Sequence, residues 1–271
     1  MSSSSRIDPR LRQRRIAVRR AQGRRRLRVV IAVMIVGTLS YGGWRVSQSE
    51  ILDLDRIVVD GAFGTEADEV RSSSGLVLTE PMISTDLDQA ASNVSDLPWV
   101  AEATATREWR GTVRIDVVRR IPYAALPSAG GGFVVIDQSG IAISRLVDTG
   151  AGELPIIDVS ANGQLGDVQE ASLPGLAVVA AMPADVDPWV DRIVVGRASS
   201  GAVSLGLVLI GGPSVEFGDS RLLTDKFEAL RSVLAGTVLS CISTIDVRVA
   251  DLATVLPDDD CVAALGDGEA P

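Results

Sequence analysis

Five carboxylates, Asp137, Asp158, Glu170, Asp185 and Asp187, are the residues of this chain best suited to acid–base work, and glycan cleavage is the reaction they would serve. That reaction needs two carboxyl groups held roughly 5 to 10 Å apart across the scissile bond. All five fall in turns or helix starts, where an acidic side chain has a local backbone role, and nothing in their spacing marks two as a pair. The chain has no histidine. A Ser-His-Asp triad, a Cys-His dyad and the commonest zinc ligand are therefore absent together. Lys226 is the only lysine, and neither Ser-x-x-Lys nor Gly-x-Ser-x-Gly occurs. Gly130-Gly131-Gly132 has no following lysine and helix, so it is not a phosphate loop. These residues point away from catalysis and imply no cofactor, metal or small-molecule substrate.

The elements that carry them are organised by one uncharged stretch, Val29 to Trp44. Eleven arginines and one acid precede it, for a net charge of +10, whereas the remainder carries −19. A bilayer span needs roughly 17 to 25 apolar residues, so sixteen is slightly short. Arg28 and Arg45 at the two interfaces, with Trp44 in the outer aromatic belt, would make up the difference. The expectation is a single-pass helix over 29–49. The arginine tail of 1–28 stays cytoplasmic and lies against anionic lipid, and the rest is translocated. A cleaved signal peptide fits less well because the basic region is long and the small residues near Ser40 and Gly42 make a poor cleavage site. Nucleic acid is not the expected partner of the arginines, since basic runs beside a span usually set topology.

After the span, Ile51 to Val59 alternates as a strand and stops at Asp60-Gly61. Thr65 with Asp68 suggests a capping box opening a short helix that ends at Gly75. A second helix is expected from Ser84 or Thr85, with Leu87, Ala90, Ala91, Val94 and Leu97 on one face and Pro98 as its stop. Two strands follow, Trp99 to Arg107 and Gly111 to Arg119, the latter with Val113, Ile115 and Val117 on one side. Strand, helix, helix, strand, strand in about 70 residues after a span is similar to the POTRA module. Leu97-Pro98-Trp99, Trp109-Arg110-Gly111 and Arg120-Ile121-Pro122-Tyr123-Ala124 resemble, in this order, signatures of the FtsQ/DivIB family of bacterial division proteins.

In the second exported unit, Pro127 to Gly132 reads as a flexible joint and Phe133–Asp137 with Ile141–Ser144 as a hairpin. A helix is expected over 169–182, with Leu173, Leu176, Ala177, Ala180 and Ala181 inward. Strands Arg192–Gly196, Val203–Ile210 and Val215–Phe217 lead to a helix capped by Asp219 or Ser220. That helix has Leu223, Phe227, Leu230 and Leu234 inside, Asp225, Lys226, Glu228 and Arg231 outside, and Gly236 as its stop. The terminal strand is Thr244 to Val249, with Ile245, Val247 and Val249 inward. Residues 257–271 read as a disordered acidic tail. Cys241 and Cys261 lie where a disulfide is permitted, and their spacing leaves pairing open.

The resemblance to FtsQ/DivIB extends to about residue 255. It implies an α+β protein with a transmembrane helix, a POTRA domain over 50–123 and an FtsQ-type mixed β domain, antiparallel-rich with packed helices, over 124–256. It also implies a non-enzymatic scaffold of septum assembly at the plasma membrane, with partners among other single-pass divisome proteins of the FtsB and FtsL kind. An antiparallel sheet built in sequence order leaves its last strand half-paired, so partner binding by strand addition is expected at Thr244, Ile245, Asp246, Val247, Arg248, Val249, Ala250 and Asp251. A transport component feeding an outer-membrane barrel would need a long series of amphipathic strands that this chain lacks. A tethered wall hydrolase would need the catalytic constellation missing above.

Overall fold

The computed structural model describes residues 28–43, 53–108, 111–147, 151–236, 239–250 and 252–258. Helix α1 covers 28–43, and its apolar side chains, among them Val33, Met34, Val36 and Leu39, are exposed. Among the described residues no helix is long and apolar enough to cross a membrane. Trp44, Arg45 and the arginine tail before Arg28 lie outside the described residues.

Contacts divide the chain into two compact units, Met1–Ala90 with Ala105–Ile115, and Ala91–Thr104 with Asp116–Pro271. The expected strand-helix-helix-strand-strand run is present as β1 (Arg56–Asp60), α2 (Thr65–Ser73), α3 (Leu87–Ser95), β2 (Val100–Glu108) and β3 (Thr112–Arg119). Its sheet has the order β1-β3-β2. The central strand explains the alternation in sequence: Val113, Ile115 and Val117 are buried. The capping box is not formed, because Thr65 is already inside α2 and Gly64 takes the cap position with no side-chain bond. Asp68 pairs with Arg71 instead. Helix α3 starts later than expected: Asp86 caps it, accepting from the Gln89 amide at 3.0 Å, while Ser84 and Thr85 turn their hydroxyls to the Pro81 carbonyl. Gly111 has φ +73°, and a Cβ there would stand 2.7 Å from the Asp53 carbonyl oxygen, so this signature glycine answers a backbone need.

The second unit holds two sheets. β4 (Ala124–Pro127), β5 (Phe133–Ile136) and β6 (Ala142–Leu146) form an antiparallel three-stranded sheet in that order. Residues 127–132 are thus a hairpin connection and not a flexible joint, closed by the Ser128 amide on the Gly132 carbonyl at 3.0 Å. The larger sheet has the order β12-β11-β10-β9-β8-β7, from β7 (Ile157–Asp158), β8 (Val190–Arg197), β9 (Val203–Leu209), β10 (Ser214–Gly218), β11 (Ile242–Asp246) and β12 (Thr254–Pro257). It is mixed: β7 pairs parallel with β8, and β10 parallel with β11. Crossover helices α4 (Leu173–Ala181) and α5 (Leu223–Gly236) make those parallel pairs possible. The core gathers Leu126, Ile136, Ile157, Ile193, Phe217 and Phe227, the last two with ring centroids 4.9 Å apart.

Two helix faces differ from expectation. In α4 the buried residues are Gly175, Leu176 and Val178, while Leu173 and Ala177 are exposed. A 3-10 turn over Glu170–Ser172 precedes Pro174 and changes the phase, and Gly175 sits where a Cβ would be 2.6 Å from Ile157. In α5 the expected stripe of Leu223, Phe227 and Leu230 is buried, but Lys226 is buried with them at 3% exposure and does not face solvent.

Candidate functional site

The expected binding strand is not an edge. β11 ends at Asp246 and has a neighbour on each side, with Thr244 opposite Ser214 of β10 and opposite Leu256 of β12. The chain's own Thr254–Pro257 covers it. Residues Val247 to Ala250 form the turn into β12, and Asp251 lies outside the described residues. Ile245 and Val247 are buried as expected; Val249, placed inward by alternation, is 62% exposed because the strand has already ended. Pro257 belongs to β12, so the regular structure extends past the expected start of the tail.

Arg248 does not offer a free outward charge. Its guanidinium holds Asp246 through Nε at 2.9 Å and through Nη2, with Glu216 at 3.4 Å, and its stem lies over Gly218. The hydrogen bond from Arg248 keeps the Asp246 carboxyl below the usual carboxylate range, against the opposing effect of burial. This exposed network fixes the turn and contributes little net stability.

The outer strand is therefore β12, paired on one side alone among the described residues. Ser243 Oγ donates toward the Leu256 and Pro257 carbonyls at 3.2 and 3.1 Å, and the Asp258 amide donates to the Cys241 carbonyl at 2.9 Å. Val249, Leu252 and Leu256 are exposed on this hairpin. Cys241 is disulfide-bonded. The chain has one other cysteine, Cys261, which lies outside the described residues.

The end of β10 is held by Lys226. Its ammonium donates to the Phe217 carbonyl at 2.8 Å, the Asp219 carbonyl at 2.9 Å and Asp219 Oδ1 at 3.1 Å. Asp219 and Ser220 do not cap α5, which begins at Leu223; Asp219 binds the Arg221 amide and guanidinium as well as Lys226. These partners, Arg221 foremost and then Lys226, hold the Asp219 carboxyl well below the usual range.

Two of the five carboxylates considered for catalysis, Asp137 and Asp185, have structural partners. Asp137 Oδ1 accepts the Ser139 and Ile141 amides at 2.9 Å each, and Oδ2 meets Arg120 at 2.8 Å. That ion pair gives the Arg120-Ile121-Pro122-Tyr123-Ala124 signature a physical meaning, since it ties the entry of β4 to the β5–β6 turn. Arg119 lies over the Trp99 ring at 5.4 Å. Asp185 pairs with Arg231 at 2.7 Å. Among the described residues no three His, Cys, Asp or Glu side chains are grouped to hold a metal.

Residues 52–120 match the family described as POTRA domain, FtsQ-type, which defines the β1-α2-α3-β2-β3 module as one of that class. Along most of its length the chain is similar to proteins named cell division protein FtsQ. It is 28% identical to that of Mycobacterium leprae over 85% of this chain and 64% of the relative. The figures for Corynebacterium glutamicum are 29%, 76% and 88%, and for Streptomyces bingchenggensis 26%, 79% and 83%. The chain thus spans just under two thirds of the M. leprae protein's length. The resemblance to FtsQ division proteins drawn from the sequence holds, and it supports a non-enzymatic protein.

Residues Thr254 to Pro257 were missed in the sequence. A four-residue strand ending in proline is shorter than any clear alternation, and the signal available was Val255 and Leu256 between a turn and Pro257.

Proposed function

We propose that the chain is a membrane-anchored scaffold of bacterial cell division that recruits or regulates other divisome proteins by accepting a strand at β12. The observation that carries this reading is the strand order, which among the described residues leaves β12 half-paired at the end of a six-stranded sheet. An open edge offers a row of main-chain donors and acceptors, and the exposed Val249, Leu252 and Leu256 add apolar contact beside it. The partners are single-pass divisome proteins of the FtsB and FtsL kind, with membrane lipid held by the apolar helix and the arginine tail. The anchor is the stretch 29–49. The tail of 1–28 lies in the cytoplasm, and the POTRA domain of 50–123 and β domain of 124–256 lie beyond the membrane at the septum. Similarity to proteins named for cell division supports the setting, and the eleven arginines before an uncharged stretch support the topology.

A fluorescent protein fused to the N-terminus tests this in dividing cells. The expected image is a membrane ring that concentrates at midcell as the septum forms. Uniform membrane fluorescence through division would remove the septal role.

A further inference from the structure

The loop between α2 and α3 exposes Val77, Leu78 and Ile83 at 55%, 49% and 64%. Three exposed aliphatic side chains in seven residues call for explanation because the loop is fastened rather than loose. The Thr79 amide donates to the Leu54 carbonyl at 2.8 Å, and the Leu54 amide to the Glu80 carbonyl at 2.9 Å. Asp53 forms a bridge with Pro81. From β2, Arg107 Nε reaches the Met82 carbonyl at 2.9 Å and its Nη2 the Thr85 carbonyl. Thr79 is held at φ +75°, an unfavourable conformation for a β-branched residue. Met82 is buried under the loop while its neighbour Ile83 points away from the core. A chain that spends backbone strain and an arginine to hold aliphatic side chains in the open is presenting them to something.

The occupant follows from where the loop is tied. Its attachment, Asp53 and Leu54, comes ten residues after the last residue of α1, a reach of at most about 35 Å even for fully extended chain. The aliphatic tip contains no aromatic residue or arginine of its own, unlike the centre of most protein–protein contacts. Exposed acids beside it, Glu80 and Asp86, give no attraction to anionic headgroups. We propose that Val77, Leu78 and Ile83 insert into the surface of the bilayer that holds α1, making the 77–83 loop a second, interfacial attachment of the POTRA domain. This rests on the reading of α1 as a membrane anchor. Insertion is apolar in origin, so salt, which only screens the repulsion of Glu80 and Asp86 from anionic headgroups, does not weaken it.

The test uses the full chain reconstituted in vesicles of mixed phosphatidylethanolamine and phosphatidylglycerol. A nitrobenzoxadiazole probe is placed in turn at Leu78→Cys, Ile83→Cys, Val36→Cys and Ser199→Cys, with the unsubstituted chain as background. One set of vesicles contains lipid with a nitroxide near the headgroup end of the acyl chain, for positions 78, 83 and 199, and a second set contains lipid with the nitroxide near the methyl end, for position 36. Probes at 78 and 83 are expected to be quenched about threefold or more above the probe at 199, with no loss in high salt. Quenching at 36 with 78 and 83 no different from 199 overturns the loop proposal and leaves the anchor standing. Absence of quenching at 36 overturns the anchor reading, and the loop proposal falls with it.

Discussion

Replacing Lys226 with alanine lowers the unfolding free energy of the chain by about 3 kcal/mol, the cost of leaving buried acceptors without donors and losing a packed stem. Lys226 is 3% exposed and its ammonium serves the carbonyls of Phe217 and Asp219 together with the Asp219 carboxylate. It thereby fastens the end of β10 to the first turn of α5, the crossover that delivers β11 to its parallel position. Lys226→Met keeps the stem and loses about 2 kcal/mol, since the carbonyls remain unpaired. Chemical denaturation measures both. A readout specific to the ion pair is the Asp219 carboxyl, which titrates at higher pH in Lys226→Met because one of the groups holding it down is gone. An acid whose folded-state pKa is depressed adds stability above its unfolded pKa and loses it as pH falls through the folded value. The gap between wild type and Lys226→Met therefore narrows in strongly acidic buffer. Equal stability of the two proteins at neutral pH would place Lys226 in solvent. Because it is the only lysine, acylation of its side chain also reports opening of the fold directly.

Reducing the disulfide at Cys241 lowers stability by about 3 kcal/mol, the loop-closure value for a ring of about 20 residues such as Cys241–Cys261 would form. A Cys241–Cys261 ring would contain β11, the turn of Arg248 and β12, and its loss would fall on the outer strands. The measurement is the shift in denaturation midpoint for Cys241→Ala, Cys261→Ala and the double variant. Equal losses that do not add mark one bond. Additive losses, or no change on reduction, would contradict this pairing.

What could be read from the sequence follows from how strongly each pattern was repeated. The POTRA order, the buried side of β3 and the stripe Leu223-Phe227-Leu230 each rest on several residues at one period, and each is present. Lys226 was set outside by its charge, although it lies three residues after Leu223 and four before Leu230, on that same stripe. Its charge concealed a position that spacing already gave, and its partners come from β10 and the following turn, which no helical pattern contains. The inward side of α4 was misread because Pro174 begins the helix through a 3-10 turn and Gly175 has no side chain to mark the close approach to Ile157. The edge was misplaced for a topological reason. Alternation locates strands but not their neighbours, and Thr254–Pro257 is too short to show any. The proposal of strand addition accordingly rests on Thr254–Pro257 in place of Thr244–Asp251.

That relocation can be tested with two substitutions. In a strand, successive amides point to opposite sides, so of Val255 and Leu256 one donates toward β11 and the other away. Proline at the inward position destabilises the hairpin, whereas proline at the outward one leaves the fold intact and removes a donor from the open edge. Binding of the exported segment of the proposed partner, an FtsB-like division protein, is measured by calorimetry for Val255→Pro and Leu256→Pro. One variant is expected to keep the wild-type unfolding midpoint and lose affinity about tenfold or more. Wild-type affinity in both variants would contradict strand addition at β12.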